Sequence, residues 1–448
     1  MKILQSGEFD LYWKSVIKQV DCDVKTEKTV KKIIAQVRAN GDKAVKKFAS
    51  KFDKSSPANL EVPVSAANMA LEQLRAENPE LTQALELSAQ NLKRFCEKQK
   101  EQFTDFEYNM SDGIVTGQRI IPVQRAAVYV PAGRFPLFSS VLMCMIPAVC
   151  AGVEEVILSS PPMSNGLPDN KILAAAAIAA NTTGVFNNSN NVKLRLFAIG
   201  GAQAIAALAI GTETVPRADF IAGPGSRFVA AAKRILFGET GIDFIAGPSD
   251  VLIIAEKHEG KSDERAADLI AADLIAQAEH DPDARARALV QGRDFAGKII
   301  AAIEKRLKAL PDEKIARASF NAGGFIVVYQ NKEEAVDIAN KIAPEHLELH
   351  VKDAERWIPS LKNYGSLFIG DLSAEVLGDY SAGINHTLPT SSCARFTGGL
   401  SVRHFLKTVT TLRCSMGEGF EKVRNASEII ARAEGLEGHA LSAASRKV

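Results

Sequence analysis

A chain of 448 residues, 46% of them hydrophobic, has apolar content for two or three domains with cores of their own, which excludes a disordered polymer. Fifty-four basic side chains against fifty-three acidic ones leave a formal charge of +1, so no electrostatic excess points to nucleic acid or an anionic membrane surface. The start, MKILQSGEFDLYWKS, lacks a long apolar stretch, and the longest apolar run, VLMCMIPAVCAGV, is too short for a bilayer and contains a proline; a cytoplasmic protein acting on small molecules or protein partners is expected.

Residues 1–120 read as mainly helical. TVKKIIAQVRANGDKAVKKFASKFD (Thr29 to Asp53) and ALEQLRAENPELTQALELSAQNLKRFCEKQ (Ala70 to Gln99) place apolar residues at helical spacing, their charged faces left to solvent. The pattern then changes to short apolar strands, RAAVYVPAG, EEVILSSPP, VKLRLFAIGG and ADFIAGPG. Helical runs SSVLMCMIPAVCAG, KILAAAAIAAN and AQAIAALAIG separate them, and such alternation predicts a parallel sheet covered by helices. It recurs after residue 250, with strands DVLIIAE, RALVQ, GFIVVYQ and YGSLFIGDL and helices starting near Asp263, Asp294 and Asn331. The fold class is α/β: two Rossmann-like units with parallel sheets covered by helices, a helical N-terminal region and a small C-terminal extension.

A repeat sits where the units meet, DFIAGPGS (Asp219 to Ser226) and DFIAGPSD (Asp243 to Asp250). Each reads as a strand running into a Gly-Pro turn, the kind of position beyond a strand's carboxyl end where open α/β sheets bind ligands; two similar tight turns without a ligand are the alternative. No G-x-G-x-x-G follows any predicted strand, so motif chemistry alone implies no dinucleotide. Cys22, Cys96, Cys144, Cys150, Cys393 and Cys414 form no C-x-x-C pair and read as reduced, mostly buried thiols.

Four stretches carry residue types suited to chemistry. In AADLIAQAEHDPDA, Gln277 and His280 are three apart on a helix that Asp281-Pro282 should end; they could share a ligand, or the histidine could simply favour the helix's negative end. In KIAPEHLELHV, Pro344 reads as a first helical residue or turn-former, and Glu345 and His346 should project in different directions, serving two different protons or merely decorating a turn. GDYSAGINHTLPTSSCARFTGGLSV (Gly378 to Val402) reads as a long loop offering Asp379 and His386, functional or only solvated. RAEGLEGHALS places Glu434 and His439 five apart near the chain end, where surface residues are the default.

These stretches resemble the signature blocks of the histidinol dehydrogenase family over almost the whole chain. VYVPAG, GGAQAIAALAIGTETVP, IAGPSDVLIIAE, DLIAQAEHDPDA, APEHLEL, GDYSAGINHTLPT and AEGLEGH occur in family order. The resemblance implies oxidation of L-histidinol to L-histidine through L-histidinal, with hydrides passed to two NAD in turn, by a homodimer that carries one zinc ion per subunit and shares its active sites. It assigns Gln277, His280, Asp379 and His439 to zinc. It lines the substrate site with Ser249, Gln277, His280, His346, Asp379, His386, Glu434 and His439. His346 is implied as the base for the alcohol proton, Glu345 as the group that activates water, and Tyr129, Gln203 and Ser226 as NAD contacts.

The family's organisation implies an N-terminal dimerisation segment (1–22), a first α/β domain in two pieces (23–128 and 250–400), a second inserted at 129–249, and a tail (401–448) that reaches the partner's site. Ser226 stands where the family usually has asparagine, and Ala132-Gly133 where it has a glycine pair. SSCARF also departs from the family's glycine-rich loop. Serine keeps a hydroxyl but lacks the amide's paired donor and acceptor. These departures leave the sulfopropanediol dehydrogenases, paralogues acting on a sulfonated diol, as the alternative; Glu434 and His439 follow the histidinol pattern. A zinc hydrolase using Glu345 lacks an H-E-x-x-H motif, and a non-catalytic binding protein would leave every one of these groups unused.

Overall fold

The computed structural model describes residues 1–16, 24–132, 136–186, 191–245, 247–256 and 263–447; Cys22, Gly133 and the end of the 1–22 segment lie outside them. The chain opens with β1 (Lys2–Gln5), α1 (Phe9–Val16) and α2 (Val24–Phe52). β2 (Glu61–Val62), α3 (Ser65–Glu77), α4 (Pro79–Lys100) and the hairpin β3 (Phe106–Ser111) and β4 (Ile114–Pro122) follow. The periodic run from Ala70 to Gln99 is thus two helices. They break at Asn78, whose side chain accepts the Leu81 N–H at 3.0 Å, with Pro79 as the first residue of α4.

A first β/α series comprises β5 (Arg125–Tyr129), α5 (Ser139–Ala151), β6 (Glu155–Ser160), α6 (Asn170–Thr183), β7 (Lys193–Ala198), α7 (Gly201–Ile210), β8 (Phe220–Ala222), α8 (Arg227–Leu236) and β9 (Gly241–Ile242). The second comprises β10 (Asp250–Ala255), α9 (Asp263–Ala278), β11 (Arg285–Gln291), α10 (Arg293–Leu307), α11 (Lys314–Gly323), β12 (Phe325–Tyr329), α12 (Lys332–Ile342), β13 (His346–His350), β14 (Ser366–Ile369) and α13 (Glu375–Tyr380). β15 (Leu406–Cys414), α14 (Glu418–Ala433) and α15 (Glu437–Ala444) end it.

The predicted α/β class holds. One sheet has the order β2-β7-β6-β5-β8-β9, parallel except for β2, and another the order β1-β12-β11-β10-β13-β14, parallel throughout. A small antiparallel sheet, β15-β4-β3, joins the tail to the hairpin. Most inner strands are apolar on both faces, as strands covered by helices on both sides tend to be, whereas β13 buries a polar face as well. The N-terminal helices cover the first of these sheets: apolar residues of α2 pack in one cluster with α7 and α8, and those of α3 and α4 in another with α5 and α6. The amphipathic faces of α2 to α4 are the physical reason for this packing.

Of the five described cysteines, all free, only Cys96 and Cys144 are buried. Cys414 is exposed on an edge strand, so the expectation of mostly buried thiols is corrected: small apolar side chains were read as core without regard to their position in the sheet.

Candidate active site

Helix α12 stops at Ile342 because Ala343 takes a left-handed conformation (φ 50°, ψ 65°) and Pro344 cannot extend the helix. Glu345 and His346 therefore do not begin a helix, as one sequence reading allowed, but enter strand β13 between β10 and β14. HLELH alternates with period two. Leu347 and Leu349 face an apolar core, while His346, Glu348 and His350 share the opposite face toward α9 and α13.

That polar face is buried and organised. Glu348 Oε1 accepts the Glu375 N–H at 2.9 Å, Glu348 Oε2 meets His350 Nε2 at 3.0 Å, and Asp371 Oδ1 lies 3.3 Å from His350 Nδ1. Asp273 of α9 lies beside Glu348; burial first, and the Glu348 charge next, push its carboxyl up to about 8. Asp273, Glu348 and His350 are clustered closely enough to hold a metal, yet they engage one another and serve to fix the start of α13. That helix in turn carries Glu375 and Asp379 toward His346. Glu375, His346 and Asp379 form a second such cluster, their ligand-type atoms all within 4.8 Å.

His346 Nε2 lies 3.6 Å from Glu345 Oε1 and 3.7 Å from Glu375 Oε1, with all three residues at most 5% exposed. Burial opposes the charged imidazole, but the carboxyls of Glu375, Glu345 and Asp379 outweigh it and hold its pKa well above the usual value. Burial drives Glu375 the other way from an ordinary carboxylate, well up, against the pull of His346. A histidine whose proton is contested by three carboxyls is suited to move one.

A cavity of about 200 Å³ opens beside this pair, and Ser249, Gln277, His280, Glu345, His346, Asp379 and His386 all line it. Seven of the residues singled out in sequence thus converge. Gln277 and His280 do so differently from expectation, since α9 ends at Ala278 and His280 lies beyond it in an exposed bend. Asp379 belongs to α13 and not to the long loop that follows. His386 is held between the Asp379 carbonyl (Nδ1, 2.8 Å) and the Ser140 hydroxyl (Nε2, 3.1 Å), and burial lowers its pKa. Glu434 and His439 are exposed on the tail and line no part of this cavity in their own chain.

The two DFIAGP copies differ. The first ends β8 and turns, with Gly223 at φ +117° and so close to the Tyr129 carbonyl that a side chain would collide with it. The described residues of the second form no strand until its last residue: β9 ends at Ile242, just before the copy, and β10 starts only at Asp250. The cause is Asp243, which turns inward to an ion pair with Lys233 and accepts the Gly223 N–H at 2.8 Å, while Lys233 donates to the Gly223 carbonyl at 3.0 Å. The site therefore lies between the carboxyl ends of one sheet and the amino ends of the other.

A second cavity of about 410 Å³ is lined by Gln203, Ser226 and Asp53 among others. Tyr129 sits behind it; its hydroxyl accepts the Gly201 N–H at 2.9 Å, and burial pushes its pKa up to about 12. Gln203 donates to Asp53 at 3.3 Å, and Ser226 caps α8 without a side-chain hydrogen bond.

Sequence reasoning passed over Asp250, Arg287, Glu348 and Glu375. Asp250 lay inside the quoted repeat, and Glu375, four before Asp379 in EVLGDY, had helical spacing as a signal. Arg287 had none.

A family model for histidinol dehydrogenase matches residues 17–447. The chain belongs to the histidinol dehydrogenase family. The histidinol dehydrogenase of Pseudomonas savastanoi pv. phaseolicola is 42% identical over 436 residues, spanning 97% of this chain and 91% of that protein. That of Aquifex aeolicus is 42% identical over 423 residues, 94% of this chain and 92% of the relative. A crystal structure of histidinol dehydrogenase from Elizabethkingia anophelis superposes with a TM-score of 0.87 at 31% identity, covering 100% of this chain and 98% of that one. These likenesses identify an oxidoreductase of that family and do not favour the sulfonated-diol alternative. No described helix is long and apolar enough to cross a membrane.

Proposed function

We propose that this chain oxidises L-histidinol to L-histidine with NAD, in the cytoplasm, as a zinc-dependent homodimer. The observation that carries the reading is the convergence of Gln277, His280, Asp379, Glu345 and His346 on one cavity in a chain of this family.

The donor set fits zinc. Gln277, His280 and Asp379 offer nitrogen and oxygen ligands at one wall, and the buried Asp379 Oδ1 has no hydrogen-bond partner among the described residues, as an atom reserved for a ligand would not. His439 of the other subunit is the fourth ligand in this reading, and Glu434 reaches the same substrate. Their exposure supports it, as do Ile429, Ile430, Leu436 and Leu441, which leave the tail helices with apolar side chains in solvent. The second cavity, with Gln203 and Ser226 on its wall and Tyr129 behind, takes NAD.

When bound, zinc anchors the substrate's imidazole and amine and NAD accepts the hydride. His346 takes the alcohol proton as the first hydride leaves the carbinol carbon. Glu345 then removes a proton from water as its oxygen bonds to the aldehyde carbon, and the proton on His346 returns to the carbonyl oxygen. In the second oxidation His346 accepts one hydroxyl proton of the hydrate as hydride leaves, and the carboxylic acid so formed gives its remaining acidic proton to solvent, leaving the carboxylate of histidine.

The test is purified protein with NAD and either L-histidinol or a sulfonated diol, following NADH. Two NADH per L-histidinol are expected; turnover of the diol alone overturns the reading, and activity untouched by a chelator removes zinc from it.

A further inference from the structure

Glu345 is tied to Asp250 in both directions. The Glu345 N–H donates to Asp250 Oδ1 at 2.5 Å, and the Asp250 N–H donates to Glu345 Oε2 at 3.0 Å. With Oε2 occupied, the oxygen left free of Asp250 is Oε1, the one beside His346, and both residues line the cavity. Asp250 is itself 2% exposed, and its other oxygen lies 3.7 Å from the guanidinium of buried Arg287. That guanidinium sits 5.2 Å from the Trp13 ring of α1 and 5.3 Å from the Phe325 ring of β12. Burial works against both charges, raising Asp250 and lowering Arg287 to about 10, and each partner offsets the penalty on the other.

A carboxylate that activates water must present one oxygen in one place, and a small displacement of such a group costs much of its effect. The Asp250 N–H also faces the Gln277 amide oxygen once that amide is turned, but the Asp250 carboxylate is directed to the Glu345 N–H and Arg287, while the alcohol proton goes to His346, which is held from the other side by Glu375. We propose that Asp250 and Arg287 are positioning residues for the hydration half of the reaction, setting which Glu345 oxygen meets the water. This rests on the reading of Glu345 as the water-activating group. Because Arg287 is stacked on Trp13, the N-terminal helix is part of the same support.

The experiment uses the metal-loaded full-length dimer mixed rapidly with L-histidinol and excess NAD, resolving the first and second NADH formed per site. Asp250→Ala and Arg287→Met are expected to slow the second NADH about tenfold or more relative to the first. Asp250→Asn, which keeps an acceptor for the Glu345 N–H, recovers part of that loss, as does Arg287→Lys. Glu345→Gln is the reference and shows the same selective loss in full. If Asp250→Ala slows both phases alike while Glu345→Gln slows only the second, Asp250 is merely structural and the proposal falls. If Glu345→Gln itself slows both alike, the role of Glu345 fails instead. Should Arg287→Met not fold, Asp250→Ala against wild type decides the same question, since an unchanged ratio of the two phases refutes it.

Discussion

Glu375 Oε1 stands 3.7 Å from His346 Nε2 and, with the Gln277 amide turned so that its NH2 group faces the carboxyl, accepts from that amide, so one buried carboxyl touches both the proposed base and a proposed metal ligand. Removing it leaves two buried groups short of a partner at once. Glu375→Ala should lower kcat by roughly 10- to 100-fold and weaken metal retention by a similar factor, whereas Glu375→Gln, which keeps an acceptor for the Gln277 amide, should lose less. Metal content after dialysis against a chelator series checks this; wild-type retention in the alanine variant would show that Glu375 does not support Gln277.

Glu434 and His439 are exposed and line no part of the cavity in their own chain, so subunit mixing tests the proposal that they serve the partner's site. Neither His439→Ala nor His346→Asn homodimers should turn over at more than about a hundredth of the wild-type rate. Refolded together, they should form hybrid dimers with one intact site out of two and recover activity. No recovery, with hybrids present by native mass spectrometry, means that each site is built from one chain.

Asp53 on the second cavity is pushed up to about 6, first by burial and against the pull of the Gly200 N–H and Gln203. The folded chain thus holds this proton more tightly than the unfolded chain does. Its contribution favours folding below about pH 4 and is lost as pH rises through about 6. Asp53→Asn abolishes the titration, so its stability in urea relative to wild type should rise between about pH 4 and pH 6 and level off above. A difference that stays flat across that range rejects the assignment.

Ser226 begins α8 with its hydroxyl free of any cap bond, and it faces the cavity assigned to NAD. Ser226→Asn adds a paired amide donor and acceptor without harming the helix start, since both residues cap well. One added hydrogen bond of about 1 kcal/mol should lower KM for NAD roughly fivefold with kcat unchanged. Steady-state kinetics at saturating L-histidinol measure it; an unchanged or higher KM places NAD elsewhere.

Much of the architecture was legible because it is written in local periodicity. Each strand of the two predicted β/α series was found, and the helices expected near Asp263, Asp294 and Asn331 begin at Asp263, Arg293 and Lys332. The Asn331 side chain caps the last of these by accepting the Glu334 N–H at 3.0 Å. β13 was missed although HLELH alternates strictly, because its polar face is as buried as its apolar one and an alternation read as half-exposed does not suggest an inner strand. The second DFIAGP copy was misread because its form depends on a partner, Lys233, that is distant from any pattern in the repeat.

The amino-acid sequence by itself determined the α/β class and the order of most strands and helices, which follow from spacing and composition acting over a few residues at a time, and its motif blocks carried the family resemblance and the residue types from which a metal-assisted oxidation could be assembled. Only the tertiary structure decided that Glu345 and His346 lie 3.6 Å apart at the mouth of a strand, that Asp250 grips Glu345 from β10, and that Glu375 closes the far side from α13. The physical reason is that β10, β13 and α13 meet through the parallel pairing of strands almost a hundred residues apart in sequence, Val251 beside His346 for example, and no local pattern encodes that register.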